Sequence, residues 1–218
     1  LEGTSLSALL QEEKHLSVER TLRIFVQVCE GLAHAHEKGV VHRDIKPNNL
    51  MLVSFIGQTD FVKIVDFGIA KIATPGEGER AEALTQTGEI FGSPMYMSPE
   101  QCRSKELDAR SDIYSTGCVL YRCLVGRPPF VGGDAMECMF KQVHEQPIPF
   151  AQACPQHNLP AALEAVVAKA LAKEPENRFQ HMIEFRDVLI ELYRDMVGEN
   201  PITASTQLRL FAVSAGSA

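Results

Sequence analysis

Apolar residues recur at helical spacing along much of the chain. From Val18 to Lys38 they return every three or four positions, which predicts a long amphipathic helix that ends at Gly39. The stretch 109–126 is strongly apolar and predicts a deeply buried helix that ends at Gly126 and the Pro128-Pro129 pair. Its apolar residues are Ile113, Val119, Leu120, Leu124 and Val125. The same spacing predicts further helices over residues 5–14, 134–145, 160–173 and 180–196.

The last of these helices carries an apolar stripe that predicts a core face: Met182, Phe185, Leu189, Leu192 and Met196. Short apolar runs between turn residues predict small strands at Val40-Val41, Leu50 to Val53 and Phe61 to Val65. The pattern therefore predicts a mainly α fold with a few short β-strands.

Two stretches lack any period. Residues 73–94 are rich in Gly, Thr and Glu, which predicts a long loop, and loops of this length often carry function. Residues 199–218 are small and polar, which is typical of a tail or linker.

Composition excludes several classes of protein. The 218 residues carry a net charge of −7, so a nucleic-acid partner is not expected. The sequence lacks an apolar run of the roughly 18–20 residues that a membrane segment needs. The six cysteines show no C-x-x-C spacing, which favours reduced thiols in a cytoplasmic protein over a zinc site or a disulfide framework.

Polar residues gather in three clusters around the predicted strands: His42 to Asn49, Asp66-Phe67-Gly68 and Ser98-Pro99-Glu100. Asp44, Asn49 and Asp66 carry hard oxygen ligands suited to Mg²⁺, and Lys46 is a cation suited to phosphate. Asp44 and Asp66 could also be a glycosidase carboxylate pair, but Lys46 and Asn49 between them favour phosphoryl transfer.

Three histidines, His34, His36 and His42, could suggest a metal site. His34 and His36 are two positions apart, so they point in different directions and cannot share an ion. We expect them to pack against neighbours or to contact solvent.

The three clusters, in this order, closely resemble motifs of the eukaryotic-like (Hanks-type) protein kinases. The runs that match are Gly39-Val-Val-His-Arg-Asp-Ile-Lys-Pro-Asn-Asn-Leu, Val65-Asp-Phe-Gly and Ser98-Pro-Glu. The runs Gly92-Ser-Pro-Met-Tyr-Met-Ser-Pro-Glu-Gln and Ser111-Asp-Ile-Tyr-Ser-Thr-Gly are similar to the bacterial serine/threonine branch.

The resemblance implies a catalytic role for each matched polar residue. Asp44 would accept the proton of the substrate hydroxyl, and Lys46 would steady the transferring phosphoryl group and contact ATP. Asn49 and Asp66 would hold Mg²⁺, with Mn²⁺ as an alternative, against the triphosphate. Met51 would form the apolar floor beneath adenine. The implied partners are ATP and protein substrates.

The resemblance also implies regulation through the loop. Ser93 stands where the family has a small hydroxyl residue that shapes the substrate platform. Arg43, which precedes the catalytic Asp, marks kinases whose loop is ordered by phosphorylation, here expected at Thr85 or Thr87. Autophosphorylation in trans would supply that phosphate.

Five further matches are structural. Glu100 and Arg178 resemble a buried ion pair that anchors the activation segment, and Asp112 resembles the helix residue that fixes the catalytic-loop backbone. His42 and Phe67 resemble members of a stacked apolar spine.

The family's smaller amino-terminal lobe has no counterpart in these residues, which lack its glycine loop and phosphate-pairing lysine. We therefore expect residues 1–198 to be a kinase C-lobe, inactive alone, followed by a flexible tail over 199–218. A pseudokinase-like binding or scaffold module is the alternative. The expected location is cytoplasmic, with any membrane anchor of the parent protein beyond residue 218.

Overall fold

The computed structural model describes residues 3–55, 58–67 and 94–197. Its helices are α1 (Leu6–Glu13), α2 (Val18–Glu37), α3 (Pro99–Cys102), α4 (Ala109–Val125), α5 (Ala135–His144), α6 (Phe150–Ala153), α7 (Ala161–Ala170) and α8 (Met182–Val197). The strands are β1 (Thr4–Ser5), β2 (Leu50–Phe55) and β3 (Gln58–Ile64). Single 3-10 turns are described at Pro47–Asn49, Pro94–Tyr96, Pro155–His157 and Pro175–Asn177. The predicted mainly α fold is confirmed.

Helix α2 confirms the first amphipathic pattern. The Ser17 hydroxyl accepts a hydrogen bond from the backbone N–H of Arg20 and caps the start of the helix. The helix buries Leu22, Phe25 and Leu32, and it packs along α8. It ends because Gly39, with a φ of 73°, adopts a left-handed conformation that suits glycine.

Helix α4 is the central element of the core, and all of its residues from Ser111 to Tyr121 are buried. It ends at Gly126, as predicted, with a φ of 92° and a backbone N–H that donates to the Arg122 carbonyl. A Cβ added at Gly117 would lie 3.0 Å from the Cβ of Ala170, so any larger residue where α4 and α7 approach would push against α7.

The three strands form one antiparallel sheet in the order β1-β2-β3. Leu50 faces Ile64 across the longer pair, so the predicted strands near 50–53 and 61–65 are confirmed. The sheet places Asn49 directly before β2 and Val65 just after the end of β3. Two of the three polar clusters therefore meet at this end of the hairpin.

The predicted strand at Val40-Val41 is wrong. The Val40 N–H donates to the Ala35 carbonyl at the end of α2. After Val41, the backbone amides of His42 and Arg43 donate to a side chain of α4. Two β-branched residues are not enough to make a strand where the backbone finds other partners.

Helix α8 confirms most of the predicted core stripe, because Met182, Phe185 and Leu189 are buried. The prediction is wrong for Met196, which is 45% exposed. Every residue of the last turn, 194–197, is exposed, so within the described ranges the helix extends beyond the residues that pack around it.

The six cysteines are free, as predicted, and all but Cys102 are buried. Burial raises the pKa of the Cys29, Cys118 and Cys123 thiols far above the ordinary value. These thiols therefore stay protonated and pack as small apolar groups.

Some predicted features fall outside these ranges. The predicted loop over 73–94 is described only at Pro94, which begins a 3-10 turn, and the predicted tail over 199–218 lies outside the described residues. Among the helices that are described, none combines the length and apolarity needed to cross a membrane.

Candidate active site

One carboxylate of α4 holds the backbone of the His42–Asn49 segment. The buried Asp112 accepts hydrogen bonds from the backbone N–H groups of His42 and Arg43, each at 2.8 Å. The chain then turns sharply, because Arg43 has a left-handed conformation with a φ of 66°. Asp44 therefore projects from an anchored backbone.

A further hydrogen bond to Asp112 comes from α2. The Nε2 atom of His36 lies 2.8 Å from Asp112 Oδ2, and it donates because a carboxylate can only accept. His36 therefore contacts a neighbour, as expected, and that neighbour is the buried carboxylate of Asp112. Helix spacing shows which face His36 occupies, but its partner comes from a distant part of the chain.

Asp44, Lys46 and Asn49 lie together. The Lys46 ammonium donates to Asp44 Oδ2 at 2.9 Å, and Asn49 Nδ2 donates to the Asp44 backbone carbonyl at 2.8 Å. Asn49 is buried, whereas the side chains of Asp44 and Lys46 are 22% and 25% exposed. The charged pair therefore lies at a surface that a substrate can reach.

The segment after β3 joins this cluster through its backbone. The Val65 N–H donates to the Asn49 carbonyl at 3.0 Å, and the Val65 carbonyl accepts from His42 Nε2 at 2.9 Å. Since Nε2 is the donor, His42 Nδ1 is free to accept from the Asp44 N–H at 3.3 Å. His42 thus joins both segments of the site.

Asp66 lies between two anchored residues. Val65 is bonded to the His42–Asn49 segment, and the Phe67 ring centroid is 4.6 Å from that of His42. Asp66 has a φ of 56°, a left-handed conformation that costs a non-glycine residue about 1–2 kcal/mol. Its exposed carboxylate lies one residue from the backbone that contacts Asn49.

Asn49 and Asp66 carry the donors that a hard divalent cation prefers. The amide nitrogen of Asn49 is used by Asp44, so its amide oxygen is the atom that could ligate a metal. Asp66 adds an accessible carboxylate oxygen. Mg²⁺ and Mn²⁺ bind such oxygens, so these residues fit the implied metal. The half-buried Met51 follows in β2.

The Arg43 side chain carries a buried donor. Its Nε is buried, and within the described ranges it has no hydrogen-bond partner. A buried donor without an acceptor costs about 1–3 kcal/mol, so an anion here would be stabilised. Thr85, Thr87 and Ser93, the predicted phosphorylation and platform residues, lie outside the described residues.

Glu100 and Arg178 form a buried, bidentate ion pair. The two guanidinium nitrogens Nη1 and Nη2 lie 2.7 and 2.8 Å from the two carboxylate oxygens. Burial by itself would raise the pKa of Glu100, but the hydrogen bonds and charge of Arg178 outweigh it, and the pKa is lowered. The carboxylate also accepts from the Ser111 hydroxyl.

The whole arrangement, from the start of the chain to α8, falls within one match to a known family. Residues 1–189 match the protein kinase domain. The chain belongs to the protein kinase family. Among curated relatives, the serine/threonine-protein kinase PknB of Mycobacterium tuberculosis (strain ATCC 25618 / H37Rv) is 39% identical over 220 residues, covering 100% of this chain and 33% of PknB.

A second curated relative and a solved structure, both of kinases, also match this chain. PknB of Mycolicibacterium smegmatis is 37% identical over 202 residues, covering 92% of this chain and 31% of that protein. The chain thus spans about a third of the length of these curated relatives. The crystal structure of the Mycobacterium tuberculosis PknI kinase domain matches with a TM-score of 0.64 and 26% identity, covering 88% of this chain and 63% of that one.

Sequence reasoning missed the roles of two residues that hold this candidate site in place, Gln101 and His36. Gln101 Nε2 donates to the Arg43 carbonyl at 2.7 Å. Ser98 followed by Gln101 is a capping-box pattern at the start of α3 and could have drawn attention to Gln101. For His36, no local signal in the sequence indicates the partner.

Proposed function

We propose that this chain is the catalytic lobe of a serine/threonine protein kinase that transfers the γ-phosphate of ATP to Ser or Thr hydroxyls of proteins. The observation that carries the proposal is the Asp44 carboxylate bonded to Lys46 and adjoining Asn49, with Asp66 close by along the bonded backbone. Relatives named serine/threonine-protein kinase support the choice of acceptor.

Asp44 is the proposed base. The substrate hydroxyl oxygen attacks the γ-phosphorus, the bond from phosphorus to the ADP oxygen breaks, and the hydroxyl proton passes to the Asp44 carboxylate. Lys46, 2.9 Å from Asp44 Oδ2, orients that carboxylate and adds positive charge beside the transferred group. Because such catalysis is mostly positioning, the anchoring by Asp112 contributes directly.

Asn49 and Asp66 would hold Mg²⁺, or Mn²⁺ in its place, through their side-chain oxygens. When bound, the cation neutralises charge on the phosphate oxygens. Met51 would contact adenine from β2, the strand that begins directly after Asn49. The support for this assignment is the hard-oxygen donor set and its place beside Asp44.

The full-length protein, incubated with radiolabelled ATP and a general protein substrate, is expected to label Ser and Thr. Labelling should fall to background with EDTA and return with excess Mg²⁺ or Mn²⁺, because the phosphate charges need a divalent cation. Phosphoamino-acid analysis and filter binding measure both effects. Label on tyrosine, or transfer that persists in EDTA, would contradict the proposal, and ATP binding without transfer would favour the scaffold alternative.

We further propose that Arg43 receives a phosphate on Thr85 or Thr87. The buried Nε of Arg43 supports this, since a phosphothreonine would supply about −1.5 to −2 charge and strong acceptors. Phosphopeptide mapping of the autophosphorylated protein should find one of these threonines. Arg43→Gln and Thr85→Ala/Thr87→Ala should each lower activity about tenfold.

The combined variant tests whether these residues act as one unit. If they do, Arg43→Gln added to the double threonine variant should cost little more than either change alone. Thr4→Ala, in β1, is a control with no expected effect. Full activity of the double threonine variant would rule out this regulation.

We propose residues 1–198 as the C-terminal lobe of the kinase domain and 199–218 as a tail. The lobe proposal is supported by the mainly helical fold and by a match that covers 88% of this chain but 63% of the PknI kinase domain. Autophosphorylation in trans and a cytoplasmic location, which follows from the use of ATP, stay predictions.

A further inference from the structure

The 3-10 turn Pro94–Tyr96 is part of the wall beside the proposed base. A small depression next to Asp44 is also lined by Tyr96, Met97 and Ser115. An acceptor hydroxyl that reaches Asp44 brings the adjoining substrate backbone against this wall. The position of the turn therefore affects how a polypeptide lies in the site.

Two buried side chains hold the carbonyl groups of this turn. Gln142, from α5, donates through Nε2 to the Pro94 carbonyl at 3.1 Å. Ser115, from α4, donates through its hydroxyl to the Tyr96 carbonyl at 2.7 Å. Both side chains belong to buried residues of the helical core, so the turn is held from beneath.

The orientation of the Gln142 amide is set by its neighbours. Lys173 carries donors alone, so the Tyr114 oxygen accepts from its ammonium at 3.2 Å. The single proton of Tyr114 is then left for Gln142 Oε1, at 2.7 Å. With Oε1 accepting from Tyr114, the Nε2 group of Gln142 faces Pro94.

Lys173 is itself fixed. Its ammonium donates to the Gln142 backbone carbonyl at 2.8 Å and lies 3.9 Å from the centroid of the Phe130 ring. Burial lowers its pKa to about 8, so most of it remains charged at neutral pH and serves as a donor. The hydrogen bonds therefore run in one direction, from Lys173 to Tyr114, from Tyr114 to Gln142 and from Gln142 to the Pro94 carbonyl.

We propose that Gln142, oriented by Tyr114 and Lys173, is a positioning residue for the polypeptide substrate, because it fixes the Pro94–Tyr96 turn beside Asp44. This inference rests on the proposed kinase activity and deepens it. A bond that served the fold alone would change stability, whereas a positioning bond changes how peptide, and not ATP, interacts with the enzyme.

Gln142→Met keeps the side-chain volume but removes both amide hydrogen bonds. Tyr114→Phe is the smaller change and removes the hydroxyl that orients the amide. Both variants of the full-length kinase are expected to raise the KM for a peptide substrate about 5- to 30-fold, as the loss of one buried hydrogen bond would. The kcat and the KM for ATP should stay within about twofold, because Asp44, Asn49 and Asp66 are untouched.

Tyr121→Phe is the matched control. Tyr121 is a second buried tyrosine of α4, and its hydroxyl donates to the Ile148 carbonyl at 2.8 Å instead of to Gln142. It should leave the peptide KM unchanged. Thermal unfolding of each variant verifies that it is folded before kinetics are compared.

The outcomes separate this inference from the proposed function. An active wild-type kinase with an unchanged peptide KM in Gln142→Met and Tyr114→Phe overturns the inference, as does an equal rise in Tyr121→Phe. A wild-type protein that transfers no phosphate overturns the proposed function instead. In that case, hydrogen exchange at Met95–Met97 still tests whether Gln142 holds the turn. Faster exchange in Gln142→Met and Tyr114→Phe than in the wild type supports this role of Gln142, and unchanged exchange overturns it.

Discussion

Asp44→Asn is expected to lower the kcat for peptide phosphorylation by about 100- to 10,000-fold, the usual contribution of a positioned general base. Asparagine keeps the shape of the side chain but cannot take up the hydroxyl proton. It also removes the carboxylate that Lys46 contacts at 2.9 Å. The backbone bonds at this position, from Asn49 Nδ2 and to His42, do not involve the side chain and should remain.

Radiolabelled phosphate transfer by the full-length protein measures this effect, with thermal unfolding as a test that the variant is folded. Asp187→Asn is a matched control, since Asp187 is an exposed carboxylate of α8 that pairs with its neighbour Arg186. The control should keep full activity. Equal labelling by Asp44→Asn and the wild type would remove Asp44 from the mechanism.

Arg178→Met is expected to lower the free energy of unfolding by about 3–5 kcal/mol, because it leaves a buried carboxylate without its partner. The Arg178 side chain is 0% exposed. Besides Glu100, its guanidinium donates to the backbone carbonyls of Ala172, Arg110 and Lys173, so all five of its N–H groups are used. The variant strands these carbonyls as well.

Urea unfolding at neutral pH measures the loss. Arg194→Met, which removes an exposed arginine of α8, should change stability by less than about 0.5 kcal/mol. Adding Glu100→Gln to Arg178→Met should recover part of the loss, since no buried charge remains. An Arg178→Met protein as stable as the wild type would show that the pair does not hold the fold.

The stabilisation by the Glu100–Arg178 pair is expected to depend on pH. The folded pKa of Glu100 is lowered, chiefly because Arg178 outweighs the effect of burial. The pair therefore stabilises the protein above the ordinary pKa of 4.5, and this contribution is lost as the pH falls below that value. The gap in stability between wild type and Arg178→Met should narrow in acid.

The sequence predicted the long helices because the residues that a helix buries recur at a regular spacing along the chain. The amphipathic spacing of α2 and the apolar length of α4 predicted both helices and the glycines at which they end. The period could not predict that Met196 lies past the packed part of α8. Nor could it predict the acceptors of the Val40, His42 and Arg43 backbone N–H groups, which come from α2 and α4.

The candidate site was predicted as a set of residues and not as an arrangement. Asp44, Asn49 and Asp66 could be singled out by chemistry and by motif. Their proximity depends on Val65, whose backbone bonds both His42 and Asn49, and an apolar residue gives no sign of this in the sequence. Gln142 was missed because a glutamine in a helix usually faces solvent, and its partners Tyr114 and Pro94 are distant along the chain.

The hydrogen bonds of Asp112 form a rigid frame, which consists of Asp112, His36 and the backbone of His42 and Arg43. One carboxyl group ties α4 to the imidazole of α2 and to two successive amides before Asp44, so these three pieces cannot shift relative to one another without breaking it. If Asp44 is the proton acceptor, as proposed, this frame holds its backbone in place. Control of the proposed activity would then act on the groups that surround the frame.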